Sequence, residues 1–155
     1  MTLQELFNLI RLIVDGPKAY ELSLSKGGWE GWLQCELWYA LNLEDITSER
    51  EYPYPAPHQK KRCDVVIFEQ VDKWIEIKAF GVFREKSVED FITAIAADVD
   101  KLLHDKPLTA SGLSLVVVPK AISPKFLEAI TRRWNNFKFV EFRYVYLFYI
   151  IIENQ

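Results

Sequence analysis

Two acidic residues and a lysine stand where they can do chemistry together. Asp64 lies in Arg62-Cys63-Asp64-Val65-Val66-Ile67-Phe68, and the triplet Glu76-Ile77-Lys78 lies in Trp74-Ile75-Glu76-Ile77-Lys78-Ala79. Both runs are rich in β-branched and aromatic residues and read as strands, with the polar stretch Glu69-Gln70-Val71-Asp72 as the turn between them. An antiparallel hairpin centred on Gln70 sets Asp64 opposite Glu76, with Cβ atoms roughly 4.5–5.5 Å apart. Side chains alternate along a strand, so Glu76 and Lys78 share a face and Ile77 points to the other. Two carboxylates that close repel unless a cation joins them, and hard oxygen ligands select Mg²⁺ or Mn²⁺.

A plainer reading stands beside this one. Glu-x-Lys is common on solvated sheet faces, and a buried Asp–Lys–Glu cluster can simply hold a sheet together. Here the triplet sits among Trp74, Ile75, Ile77, Ala79 and Phe80, apolar on both faces. Burying an unpaired ion costs several kcal/mol, so these charges need a partner or a task.

The elements that must position them alternate between helix and strand. Thr2 to Val14 carries a helical stripe, Leu3, Leu6, Phe7, Leu9, Ile10 and Ile13, ending at Asp15-Gly16-Pro17. After a loop closing at Lys26-Gly27-Gly28, a second helix is expected from about Trp29 to Leu41, apolar nearly all round and so buried on a sheet. Arg50 to Tyr54 reads as a short edge strand, limited by Pro53, Pro55 and Pro57. Past the hairpin, Ser87 starts a helix with the stripe Phe91, Ile92, Ile95, Val99, Leu102 and Leu103. Leu113 to Val118 is a continuous apolar strand of the kind found mid-sheet. Ser123-Pro124 then reads as N-cap and N1 of a helix to about Trp134. Phe137 to Ile152 gives one or two more strands, bent near Arg143. The expected architecture is a mixed β-sheet flanked by helices on both faces, as one domain over residues 1–155.

Composition narrows the class. Of 155 residues, half are hydrophobic and a quarter charged, as in an ordinary globular domain. Cys35 and Cys63 are too few for a disulfide scaffold, and both lie in apolar runs that suggest buried thiols in a reducing cytoplasm. His58 and His104 make no zinc spacing. No charged leader suggests secretion, and the run Val145 to Ile152 is too short to span a bilayer, so no membrane partner is expected. The net charge of −3 gives no global pull on nucleic acid, so any such binding needs local basic patches.

The order helix, strand, Asp-bearing strand, Glu-x-Lys strand, helix, apolar strand resembles the PD-(D/E)XK nuclease superfamily, over about Gly28 to Val118. One departure is that Cys63, not proline, precedes Asp64. The resemblance implies the restriction-endonuclease-like fold and Mg²⁺- or Mn²⁺-dependent hydrolysis of phosphodiester bonds in DNA, with RNA as the second candidate. It makes Asp64, Glu76 and Lys78 the catalytic set. It assigns the metal to Asp64, Glu76, the Ile77 carbonyl and an acid on the preceding helix. That helix offers Glu30 and Glu36, about 240° apart at about 100° per residue, and either face can meet the sheet. Lys78 would orient the attacking water and neutralise phosphate charge, with its pKa depressed by the neighbouring metal.

Nucleic-acid contacts are expected from Lys60, Lys61 and Arg62, just before Asp64, and from Arg84 and Lys86, just past Lys78. Arg132, Arg133 and Lys138 form a third basic set around Trp134 and Phe137. Lys101, near Asp98 and Asp100 on the next helix, is a candidate accessory cation, although solvated helix charges are the default. The family also suggests a homodimer that sets two sites on two strands. The rival from another class is a catalytically inactive nuclease-like scaffold that binds protein or nucleic acid. Phosphate loops, serine-nucleophile elbows and Cys–His pairs are absent from the sequence.

Overall fold

The computed structural model describes residues 1–153. Thr2 opens α1 (Leu3–Val14) with a capping box: its hydroxyl accepts the Glu5 N–H, and Glu5 accepts the Thr2 N–H in return. The segment expected as loop holds a second helix, α2 (Pro17–Ser23). It starts on Pro17, at a position where a missing N–H leaves nothing unsatisfied. Its single pair of turns is too short to show a hydrophobic period.

Helix α3 (Glu30–Leu43) buries Leu33, Leu37 and Leu41, one row at four-residue spacing. Burial all round is corrected here. The helix lies on the outside of the sheet, so Trp38, Tyr39 and Leu43 on its far side are exposed, and so is Cys35. Only Cys63 is the buried thiol that both cysteines were expected to be.

Strands β1 (Ser48–Pro53), β2 (Arg62–Ile67) and β3 (Lys73–Ala79) form an antiparallel meander with β1 at the edge. The pairs Val65–Ile75, Val66–Trp74 and Ile67–Lys73 have the register of a hairpin centred on Gln70. From β3 the chain crosses through α4 (Val88–His104) to β4 (Ser111–Pro119), which runs parallel to β3. A parallel neighbour requires such a crossover. Ser87 caps α4 by accepting the Asp90 N–H. Its stripe is buried except for Leu103, which points to solvent.

Helix α5 (Ser123–Arg133) follows β4, and its N-cap is Ile122. Ser123 is therefore the first helical residue; its hydroxyl donates to the Lys120 carbonyl instead of capping. The chain returns through a hairpin of β5 (Lys138–Glu141) and β6 (Val145–Ile152), turning at Arg143.

All six strands join one mixed sheet in the order β1-β2-β3-β4-β6-β5, with helices on both faces. Ile75, Ile77, Leu115 and Leu147 pack under α1 and α3. Trp74, Val116, Phe148 and Ile150 pack under α4 and α5 on the opposite face. β4 is buried along almost its whole length, as its unbroken apolar run requires. Among the described residues, no helix is long and apolar enough to cross a membrane.

Candidate functional site

The site sits where β2, β3, α3 and α4 meet. The β2–β3 ladder ends at the Val65–Ile75 pair; one further step would set Asp64 across from Glu76. The ladder is irregular on both sides of Asp64. Towards β3, the Asp64 carboxylate accepts the Ile77 N–H at 2.7 Å. Towards β1, Arg50 pairs with Val65 and Tyr52 with Cys63, while Glu51 between them has a φ of 51°. A non-glycine residue in that left-handed region costs of order 1 kcal/mol or more. The distortion accompanies an acid in mid-strand, and Asp64 is left half-buried.

Glu76 is 1% exposed and faces α4. Tyr54, from the loop after β1, donates its hydroxyl to Glu76 Oε1 at 2.5 Å. Lys101 Nζ on α4 lies 2.9 Å from Glu76 Oε2 and 2.8 Å from Asp98 Oδ1. Asp98 Oδ2 in turn lies 2.7 Å from Lys78 Nζ, which also reaches Glu30 Oε1 at 3.2 Å. Glu30 Oε2 accepts the Ala79 N–H at 3.3 Å. The result is a row of alternating charge, Glu30–Lys78–Asp98–Lys101–Glu76, with Asp64 beside it.

Electrostatics follow from burial and this row. Burial pushes the Asp64 carboxyl up to about 6, against the Ile77 N–H and the Lys78 ammonium. Burial also pushes Glu76 up to about 8, and the Asp64 and Asp98 charges add to the effect. For Lys78, burial pulls the pKa down, but Asp98 and Glu30 outweigh it and hold the ammonium above its ordinary value. The depression expected from the sequence was that of a bound metal cation; the groups touching Lys78 here are carboxylates, which act the other way. Lys101 is raised in the same way, by Glu76 and Asp98 against its burial.

The structure separates the two helix acids. Glu30, in the first turn of α3, joins the row. Glu36 pairs instead with Lys18, at 3.3 Å on the surface, because its helix face points away from the sheet; it is removed from the metal set. Among the basic residues, Arg84 and Lys86 are exposed on the loop after β3. Arg84 lies across Gly28, just before α3, where an added Cβ would come within 2.6 Å of its side chain. Lys60 and Arg62 are exposed, but Lys61 is bound to Asp105 at 2.6 Å, at the C-cap of α4. Asp105 is two helical turns, about 10 Å, from Asp98. The two basic groups therefore stand towards opposite ends of α4, with Lys78 at Asp98 between them.

Asp98 and Tyr54 were not assigned to the site from sequence, whereas Lys101, a candidate accessory cation there, does reach Glu76. A signal for Asp98 existed: Ile95, Asp98, Val99 and Leu102 follow the i, i+3, i+4, i+7 spacing of a buried stripe, so an acid occupied a core position. Lys101 follows it at i+3 on the same side. Tyr54 carried no such signal among its flanking prolines.

No protein-family model, curated protein or solved structure matches this chain.

The charge and donor type of the site are of the kind that a divalent cation uses. Glu30, Asp64, Glu76 and Asp98 face the two ammonium groups of Lys78 and Lys101, a formal excess of two negative charges, and the donors are hard oxygens. Among the described residues, no three acidic, histidine or cysteine side chains form a ready-made metal shell, because lysines lie between the carboxylates.

Proposed function

We propose that this protein is a Mg²⁺- or Mn²⁺-dependent nuclease of the PD-(D/E)XK type, acting on phosphodiester bonds in DNA. The observation that carries the reading is that Glu30 from α3 and Asp64 from β2 both close on the Ile77–Ala79 stretch of β3, the strand that carries Glu76 and Lys78. The element order α3, β1, β2, β3, α4, β4 supports it, being the order on which the family resemblance rests. So does the local strain beside Asp64, since strained backbone collects at functional positions.

In this reading Asp64, Glu76, Glu30 and the Ile77 carbonyl hold the metal. Bound there, a Mg²⁺ ion would acidify its water and offset phosphate charge. Lys78, held protonated by Asp98 and Glu30, places a fixed positive charge where the phosphate becomes more negative, and so favours the transition state. Arg84 and Lys86, on the loop next to the Glu30–Lys78 end, supply backbone contacts to the polyanion. Lys60 and Arg62, exposed just before β2, supply further contacts to the polyanion.

A second reading draws on the same row. Glu30, Glu76 and Asp98 each have an ammonium partner already, as in an ion network that only stabilises a scaffold. Incubation with labelled single-stranded, duplex and branched DNA in Mg²⁺ or Mn²⁺ separates the two. Cleavage is expected, falling at least about 100-fold in Asp64→Ala and Lys78→Ala and vanishing in EDTA. Absence of cutting on every substrate, together with no Mn²⁺ binding by calorimetry, overturns the nuclease reading in favour of the scaffold.

A further inference from the structure

Glu76 is reachable from one side only. Its carboxylate is buried, and the Tyr54 hydroxyl occupies Oε1 at 2.5 Å. The other oxygen, Oε2, is covered by Lys101 Nζ at 2.9 Å. A cation approaching Glu76 at Oε2 meets that ammonium. Lys101 also has somewhere to withdraw to: Asp98 Oδ1, three residues earlier on its own helix, lies 2.8 Å away, and the lysine side chain is 22% exposed.

We infer that Lys101 is the tethered counter-ion of Glu76, competing with the divalent metal for this carboxylate and thereby setting the metal affinity of the site. Metal enters as Lys101 shifts fully onto Asp98, which keeps the ammonium paired and spares the protein a buried unpartnered charge. The inference rests on the metal-nuclease reading and adds to it a residue that positions and gates the ligand set without binding the metal. Like charges held a few ångströms apart in a poorly solvated site oppose each other strongly, so removing the ammonium favours the metal.

The test is calorimetric titration of Mn²⁺ at pH 8 into the wild type, Lys101→Met and Lys101→Arg, with folding checked by circular dichroism. Lys101→Met is expected to bind Mn²⁺ at least about tenfold more tightly, and Lys101→Arg, which keeps the charge, within about threefold of wild type. In a Glu76→Gln background, Lys101→Met is expected to add nothing. Lys101→Gln provides the same comparison if the methionine variant does not fold. Equal or weaker binding in the folded, charge-removed variant, with measurable binding in the wild type, overturns this inference and leaves the nuclease reading intact. No Mn²⁺ binding to any of the proteins overturns both.

Discussion

A buried carboxyl whose pKa rises on folding makes stability depend on pH in an unusual sense. Glu76 rises from an ordinary 4.5 to about 8 on folding, and Asp64 from 3.8 to about 6. Between those limits the folded chain binds more protons than the unfolded one. Stability therefore falls as pH rises, from about 4 to about 8, and levels off above. The combined loss is on the order of a few kcal/mol. Urea denaturation in EDTA from pH 5 to 9 should show this downward slope, and saturating Mn²⁺, which favours the ionised carboxylates, should flatten it. A flat or rising profile in EDTA would mean that Glu76 is ionised throughout, with its two donors outweighing its burial.

At the scale of elements, the site depends on how the start of α3 meets the end of β3. Gly28 has a φ of 74°, and Arg84 fills the space where its Cβ would be. Gly28→Ala should cost about 1–3 kcal/mol and disturb Glu30 two residues on. In an Arg84→Ala background the steric part disappears and about 1 kcal/mol of backbone cost remains, a difference that a double-mutant cycle measures directly. The same elements show what a sequence can and cannot disclose. The β2–β3 register was legible because hairpin pairing is local and the turn residues are polar, but the ladder ends at Val65–Ile75, and Asp64 turns to the Ile77 N–H where the register would set it against Glu76. The central place of β4 followed from its uninterrupted apolar run. The choice between Glu30 and Glu36 was not legible, since it depends on which row of α3 touches the sheet, and an apolar surface on nearly all sides leaves that open. Asp98 was hidden, and Lys101 legible only as a candidate accessory cation, for another reason. Their ion partners lie on β3, and only the crossover geometry brings α4 over Glu76 and Lys78.

For the molecule as a whole, one sheet is covered by helices on both faces, but its strands are unequal in length. β6 spans Val145–Ile152, whereas β5 pairs only with Tyr146 to Tyr149. Among the described residues, the outer side of Ile150 to Ile152 has no strand neighbour, and Ile151 is 39% exposed. The segment Val-Tyr-Leu-Phe-Tyr-Ile-Ile-Ile contains no charge and no proline, the composition from which self-complementary cross-β stacks form. Ile151→Lys should leave folding stability within about 1 kcal/mol while lowering light scattering during refolding at high concentration. Unchanged scattering would show that this edge is not where chains join. The short partner strand thus gives the protein a colloidal weak point at the far end of the sheet order from the β1–β2 edge. If chains join at this edge, the protein's solubility and shelf life depend on it and not on the chemistry at Glu76.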